Sequence, residues 1–297
     1  MLLLPLLLAF LPQTLAWGAL GHRTVAYLAS LSFTPHTTRL TNFLLHGQDI
    51  SEAALFPDKI RYIPSFAYTR AWHYIDAADS PPHQCGINIT RDCAVETGCV
   101  VSAIANHTER VGNDSLPLWQ RGQSLRFVLH FFGDVHQPLH TEAEDRGGNE
   151  YAVVFDGRAT NLHSVWDTLI ANKHAGLGHD DEELAAWNWA LWLHALNQAD
   201  QPPERVCMRD PAKCALGWAG EANAYVCSYV LAHDVHGRDL GGEYYEGAVP
   251  IIEDMVRKAG RRLGAWVNAI FEDISLANLE AMKVLETPSP EMFVQEL

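Results

Sequence analysis

Positive charge is scarce in this chain: 21 Lys and Arg stand against 36 Asp and Glu in 297 residues, a formal net charge of −15 with histidine neutral. That deficit excludes a protein that grips polyanions through a broadly basic face, although a locally cationic site remains open to it. Charged residues of both signs make up 19% and hydrophobic residues 48%, a balance that excludes a disordered or fibrous chain. Internal repeats, low-complexity tracts and Gly/Ser linkers are all missing. Length alone allows one large domain or two small ones. After the first sixteen residues no run is apolar enough to cross a bilayer. No Cys-x2-Cys pair occurs, which argues against thiolate-bound zinc.

Residues 1–16, MLLLPLLLAFLPQTLA, are apolar, too short for a comfortable span, and end in the small residue Ala16. They read as a secretory leader cleaved after Ala16, even without the usual Lys or Arg at the start. The rival reading is a signal anchor. The leader carries no charge, so the processed chain keeps −15. Six cysteines, Cys85, Cys93, Cys99, Cys207, Cys214 and Cys227, form an even set that suits three disulfides in a secreted protein. Close spacing favours Cys93–Cys99 and Cys207–Cys214, leaving Cys85–Cys227, but sequence alone does not select the pairing. Asn88, Asn106 and Asn113 each open a glycosylation sequon, which predicts an exposed, glycosylated region.

Most periodic segments are helical. The apolar spacing predicts helices over 24–31, 124–135, 182–196 and 253–271, with Trp266 and Phe271 facing inward in the last. Trp187, Trp189 and Trp192 read as core packing. The acidic run Asp180–Glu183 suits the first turn of its helix. Alternation over 150–155 followed by Asp156-Gly157 predicts one strand or hairpin. The fold class is therefore mainly α, a single multi-helix domain with at most a short β-hairpin, tied by disulfides. Residues from 275 onward, with Pro288 and Pro290, read as a poorly ordered tail after a domain over 17–274.

Fifteen histidines are the unusual surplus. His130 and Asp134 stand four apart, so a helix projects both from one face. Pro138 disfavours helix at Gln137, which swings His140 around the helix end. His163 and Asp167 repeat the four-residue spacing. Imidazole and carboxylate without thiolate fit a divalent site of the catalytic zinc type. His136 falls on another face and is left out of the set. His233 and His236 read as exposed.

In order and combination, Trp17-Gly-Ala-Leu-Gly-His22, Asp58-Lys-Ile-Arg61, Trp72-His73-Tyr74-Ile75-Asp76, His130-x3-Asp134-x5-His140, Gly147-Gly148-Asn149 and Asn161-Leu-His163-Ser-Val-Trp-Asp167 resemble the zinc-dependent S1/P1 nuclease family, from Trp17 to about Phe271. The resemblance implies a phospholipase C/P1 nuclease-like fold and three zinc ions. One would take Asp58, His73, His130 and a bridging Asp134; a second His140, His163 and Asp167; the third His22, Asp134 and the free α-amine and carbonyl of Trp17. It also implies the disulfides Cys85–Cys227 and Cys93–Cys99, whereas Cys207–Cys214 rests on spacing alone.

The implied activity is hydrolysis of single-stranded DNA and RNA to 5′-phosphorylated products by a secreted, monomeric, membrane-free endonuclease. A 3′-nucleotidase activity on mononucleotide 3′-phosphates is implied as well. Zinc lowers the pKa of bound water, so a zinc-bridged hydroxide can attack phosphorus. Asp58 would orient the nucleophile and Arg61 would contact the phosphate. Tyr74 would stack a base, Asp76 would accept from its edge, and Asn149 would add a polar contact. Arg146 stands where related fungal enzymes carry an apolar residue, which bears on base preference. Two alternatives are a zinc-dependent phospholipase C and a secreted zinc-binding protein without catalysis. Tyr74 and Asp76 weigh against the first, Asp58 and Arg61 against the second.

Overall fold

The structure is a computed structural model that describes residues 17–177, 181–200, 204 and 206–285. The leader, Asp180 and the end of the tail lie outside the described residues.

Eight longer helices carry the fold: α1 (Ala19–Ser30), α2 (Pro35–Leu44), α3 (Val100–Gly112), α4 (Leu118–Asp134), α5 (Glu182–Asp200), α6 (Pro211–Tyr225), α7 (Glu243–Phe271) and α8 (Leu276–Leu285). Helix starts follow local chemistry. Thr34 caps α2 by accepting from the Thr37 amide at 3.0 Å, and Asp210 caps α6 through the Lys213 amide at 3.2 Å. Both helices have proline at their first position, where no amide is missed. α1 is buried on nearly every side, from Leu20 and His22 to Leu28 and Ala29. It is the central rod, with α4, α5 and α7 packed around it. α3 lies against α4, and α6 against α3.

The predicted hairpin is present. Strands β1 (Ala152–Phe155) and β2 (Arg158–Asn161) pair antiparallel, Ala152 opposite Asn161 and Phe155 opposite Arg158. Asp156 and Gly157 form the turn with φ of 48° and 76°, the left-handed pair that such a two-residue turn requires. Trp266 and Phe271 are fully buried, as expected.

Two expectations are corrected. Of the three tryptophans on α5 read as core, only Trp189 is buried; Trp187 and Trp192 are 36% and 45% exposed. The buried stripe runs through Ala186, Trp189, Ala190 and Leu193, and at helical spacing residues 187 and 192 fall outside it. The helix is held in that rotation at its start, where Arg23 Nε donates to Glu182 at 3.2 Å and the Tyr27 hydroxyl donates to Glu183 at 3.1 Å. Of the tail expected to be poorly ordered from 275, residues 276–285 form α8, which buries Leu279, and residues 286–297 lie outside the described residues. α8 touches α4, where Met282 Sδ accepts from Arg121 at 3.9 Å, a contact that a weak hydrophobic pattern concealed.

All three disulfides are formed: Cys85–Cys227, Cys93–Cys99 and Cys207–Cys214. Asn88 and Asn106 are exposed and Asn113 is half-buried. Among the described residues, no helix is long and apolar enough to cross a membrane.

Candidate metal centre

The predicted ligands arrive on two long helices, α1 and α4, and on short elements between the longer helices. α4 delivers His130 and Asp134 from its last turn and stops there. Gln137 is extended, and a 3-10 turn over Pro138–Thr141 brings His140 back beneath the helix end. α1 supplies His22. Its approach to α4 depends on Gly133, where an added Cβ would meet His22 Nδ1 at 2.7 Å. Asp58 sits on the short helix Phe56–Ile60, and His73 ends the 3-10 segment Pro64–His73. His163 lies in a single turn capped by Asn161, whose side chain accepts from the Ser164 amide at 2.7 Å. A π turn over Val165–Leu169 then carries Asp167, the kind of widened turn found at functional sites.

These side chains converge on Asp134. His73 Nδ1 and His130 Nε2 lie 3.1 and 3.2 Å from its Oδ2. His22 Nε2 and His140 Nδ1 lie 3.4 and 3.5 Å from Oδ1. Asp58 Oδ1 is 3.7 Å from both His73 and His130. In the neighbouring cluster, Asp167 faces His163 Nε2 at 2.8 Å and His140 Nε2 at 3.5 Å. Potential ligand atoms thus gather as three sets: His22–His130–Asp134, Asp58–His73–His130 and His140–His163–Asp167. Every one of these residues is buried.

Burial of so many titratable groups has to be offset. Burial holds the His73 imidazole down to about 4, the Asp134 carboxylate opposing it. At His140 burial also pulls downward, but Asp167 and Asp134 outweigh it and raise the imidazole to about 9. The surrounding imidazoles overcome burial at Asp134 and Asp167 and keep both well below the usual carboxylate range. Even so, Nε2 of His22 and His140, Oδ1 of Asp58 and Asp134, and Oδ2 of Asp167 have no hydrogen-bond partner among the described residues. Buried polar atoms left in that state are costly. Divalent cations of the zinc class fit this donor set, because they would satisfy the orphaned atoms and neutralise the carboxylates.

The second nitrogen of three imidazoles is already engaged. His130 Nδ1 donates to the Ala54 carbonyl at 2.7 Å, His140 Nδ1 to the His73 carbonyl at 2.8 Å, and His163 Nδ1 to the Gly147 carbonyl at 2.6 Å. This fixes each tautomer so that Nε2 faces the cluster. Sequence reasoning missed one member of this outer layer. Gln137 is fully buried and donates through Nε2 to Asp167 Oδ1 while accepting from the Leu139 amide. Its only sequence signal was a place between Asp134 and His140.

Trp17 is wholly buried, and the Gly18 amide donates to the Asp167 carbonyl at 2.6 Å. The expected chain start therefore lies against the second cluster. His136 points away: its Nδ1 donates to the Phe132 carbonyl at 2.7 Å and its Nε2 accepts from Arg262 at 2.8 Å. His233 and His236 are exposed.

At the rim, Arg61 Nε lies 3.4 Å from Asp58 Oδ1. Tyr74 is 38% exposed. Burial first and Asp76 second raise its hydroxyl, against the pull of Arg146 and Arg61. Burial likewise raises the Asp76 carboxyl, with His140 opposing. Asn149 donates to the Arg146 carbonyl at 2.8 Å. Asp145 to Gly148 all have φ between 46° and 76°. An added Cβ at Gly147 would also meet the Leu139 carbonyl at 2.6 Å, so only glycine fits where this turn hands its carbonyl to His163.

Comparison with known proteins agrees with this geometry. A family model described as S1/P1 Nuclease matches residues 17–272. The chain is 35% identical to "Nuclease S1" of Aspergillus oryzae, over 89% of this chain and 94% of that protein. It is 36% identical to "Nuclease P1" of Penicillium citrinum, over 86% and 97%. It is 31% identical to "Endonuclease 4" of Arabidopsis thaliana, over 86% and 90%.

Proposed function

Because the chain belongs to the S1/P1 nuclease family, we propose that it is a secreted, zinc-dependent, single-strand-preferring endonuclease holding three zinc ions. The products are 5′-phosphorylated, and mononucleotide 3′-phosphates are further substrates. Asp58, His73, His130 and Asp134 hold the first ion, His140, His163 and Asp167 the second, and His22, Asp134 and the terminal amine and carbonyl of Trp17 the third. The observation that carries this reading is the meeting of two acid–imidazole clusters at one buried carboxylate, Asp134.

Zinc supplies Lewis acidity and a water-derived nucleophile near neutral pH. The chain supplies position and selectivity. Asp58 orients the attacking group, and Arg61, held against Asp58, bonds the phosphate oxygens. Tyr74 stacks an unpaired base, Asp76 accepts from its edge, and Arg146 and Asn149 close the pocket. A duplex offers no free base face to that pocket, which is the source of the strand preference. Cleavage before Trp17 by the secretory pathway frees the amine that completes the third site.

Elemental analysis of the processed protein tests the reading, with three zinc ions per chain expected. Asp134→Ala should lose more than one equivalent, because two sites share that carboxylate. A variant that keeps all three would refute the bridging role. A preparation extended by one residue before Trp17 should lose most cleavage of single-stranded DNA, and full activity would remove Trp17 from the ligand set.

A further inference from the structure

In a chain of net charge −15, the stretch between Asp58 and Asp76 contains no acid. It carries Lys59, Arg61 and Arg70 together with five aromatic rings: Tyr62, Phe66, Tyr68, Trp72 and Tyr74. Both of its ends stand in the metal centre, where Asp58 Oδ1 and His73 Nδ1 lie 3.7 Å apart. The 3-10 segment Pro64–His73 joins them. At about 2 Å of rise per residue, the Tyr68 Cα lies about 10 Å from that of His73.

Packing does not account for two of these rings. Tyr62 is 45% exposed and Tyr68 59%. Both are nevertheless held in place. The Arg61 guanidinium lies over the Tyr62 ring at 5.2 Å and donates to its hydroxyl oxygen at 3.1 Å. Arg70 Nε donates to the Arg61 carbonyl at 2.9 Å, which ties a second guanidinium to the backbone of this stretch. Tyr68 stacks on Phe66 with centroids 6.3 Å apart and meets Trp72 edge-on at 5.2 Å. Trp72 is itself pinned by its indole N–H to the Thr97 carbonyl at 2.9 Å. Braced, solvent-facing rings interleaved with guanidinium groups are what a single strand needs: a flat face for each base and a cation for the backbone.

The geometry points to a stacking track that runs outward from Arg61 over Tyr62 and Tyr68, with Arg70 alongside. It holds nucleotides that adjoin the one at the metal centre. The inference rests on the nuclease reading and deepens it, assigning the molecule a preference for oligomers over dinucleotides.

The test compares the zinc-loaded wild type with Tyr68→Ala and Tyr68→Phe on a single-stranded oligodeoxynucleotide and on a dinucleotide. Loss of one stacked base, worth about 1–3 kcal/mol, converts to roughly 5- to 150-fold. Tyr68→Ala should therefore raise KM for the oligomer about tenfold, with kcat and dinucleotide hydrolysis unchanged and zinc content intact. Tyr68→Phe should behave as wild type. Binding of a non-cleavable phosphorothioate oligomer should weaken by the same factor in Tyr68→Ala alone. Equal losses on both substrates, or an unchanged oligomer KM, would overturn the track while leaving the nuclease reading in place. A zinc-loaded wild type that cleaves neither substrate would overturn both.

Discussion

A histidine offers two nitrogens, and at three positions this protein commits one of them to its own backbone. His130, His140 and His163 each donate from Nδ1 to a main-chain carbonyl, so the ring is oriented before any ion arrives. Helical spacing made His130 with Asp134 and His163 with Asp167 legible as candidate ligands, whereas His22, Asp58 and His73 were marked only by the family resemblance. Their supports were not legible, since the carbonyls of Ala54, His73 and Gly147 could come from any residue. Gln137 belongs to this hidden layer, bonding Asp167 from a fully buried position. Gln137→Ala should weaken zinc at the second cluster by about 10- to 100-fold, the usual effect of losing such a support. Competition against a graded series of chelators would measure it. Unchanged zinc retention across that series would show that Gln137 only fills space.

At the scale of elements, the sequence foretold the helices around the site, the break before Pro138 and the hairpin. Each of these rests on a local rule, either periodicity or a missing amide. What it misjudged depended on partners far away in the chain. The outward turn of Trp187 and Trp192 follows from the anchorage of α5 to Arg23 and Tyr27 on α1, and the order of α8 follows from its seat on α4.

α3 offers a separate test of burial. His107 lies on its inner face, stacked on Phe127 at 4.4 Å and beside Trp72 at 5.3 Å. Burial, and then Arg110, push this imidazole down to about 3. The unfolded chain titrates near the ordinary 6.5 and so binds one more proton than the folded chain between these two values. Stability at this residue is therefore full above about pH 6.5 and falls as pH drops toward about 3. The loss is about 1.4 kcal/mol per pH unit. His107→Phe should flatten the slope of unfolding free energy against pH by that amount within the window, followed by urea denaturation. An unchanged slope would mean that His107 protonates freely in the folded state.

Over the whole molecule, covalent ties and metal ligation interlock. Cys85–Cys227 spans 142 residues, and that loop contains His130, Asp134, His140, His163 and Asp167. Trp17, His22, Asp58 and His73 lie outside it. Removing this bridge frees far more of the unfolded chain than removing Cys93–Cys99, with its separation of 6. The loop-entropy relation gives about 5 kcal/mol against about 2. Replacing Cys85 and Cys227 by serine should accordingly lower the melting temperature well beyond replacing Cys93 and Cys99. Equal shifts by calorimetry would contradict the comparison.

The unequal placement of the tryptophans gives the protein an optical property. Trp17, Trp166 and Trp266 are sealed from solvent, whereas Trp187 and Trp192 stand in it. Their emission should separate into a blue component shielded from a dissolved quencher and a red component open to it. Because Trp17 lies beside His22 and Asp167, loading or stripping the ions should change the shielded component, with the quenchable one serving as an internal reference in the same cuvette.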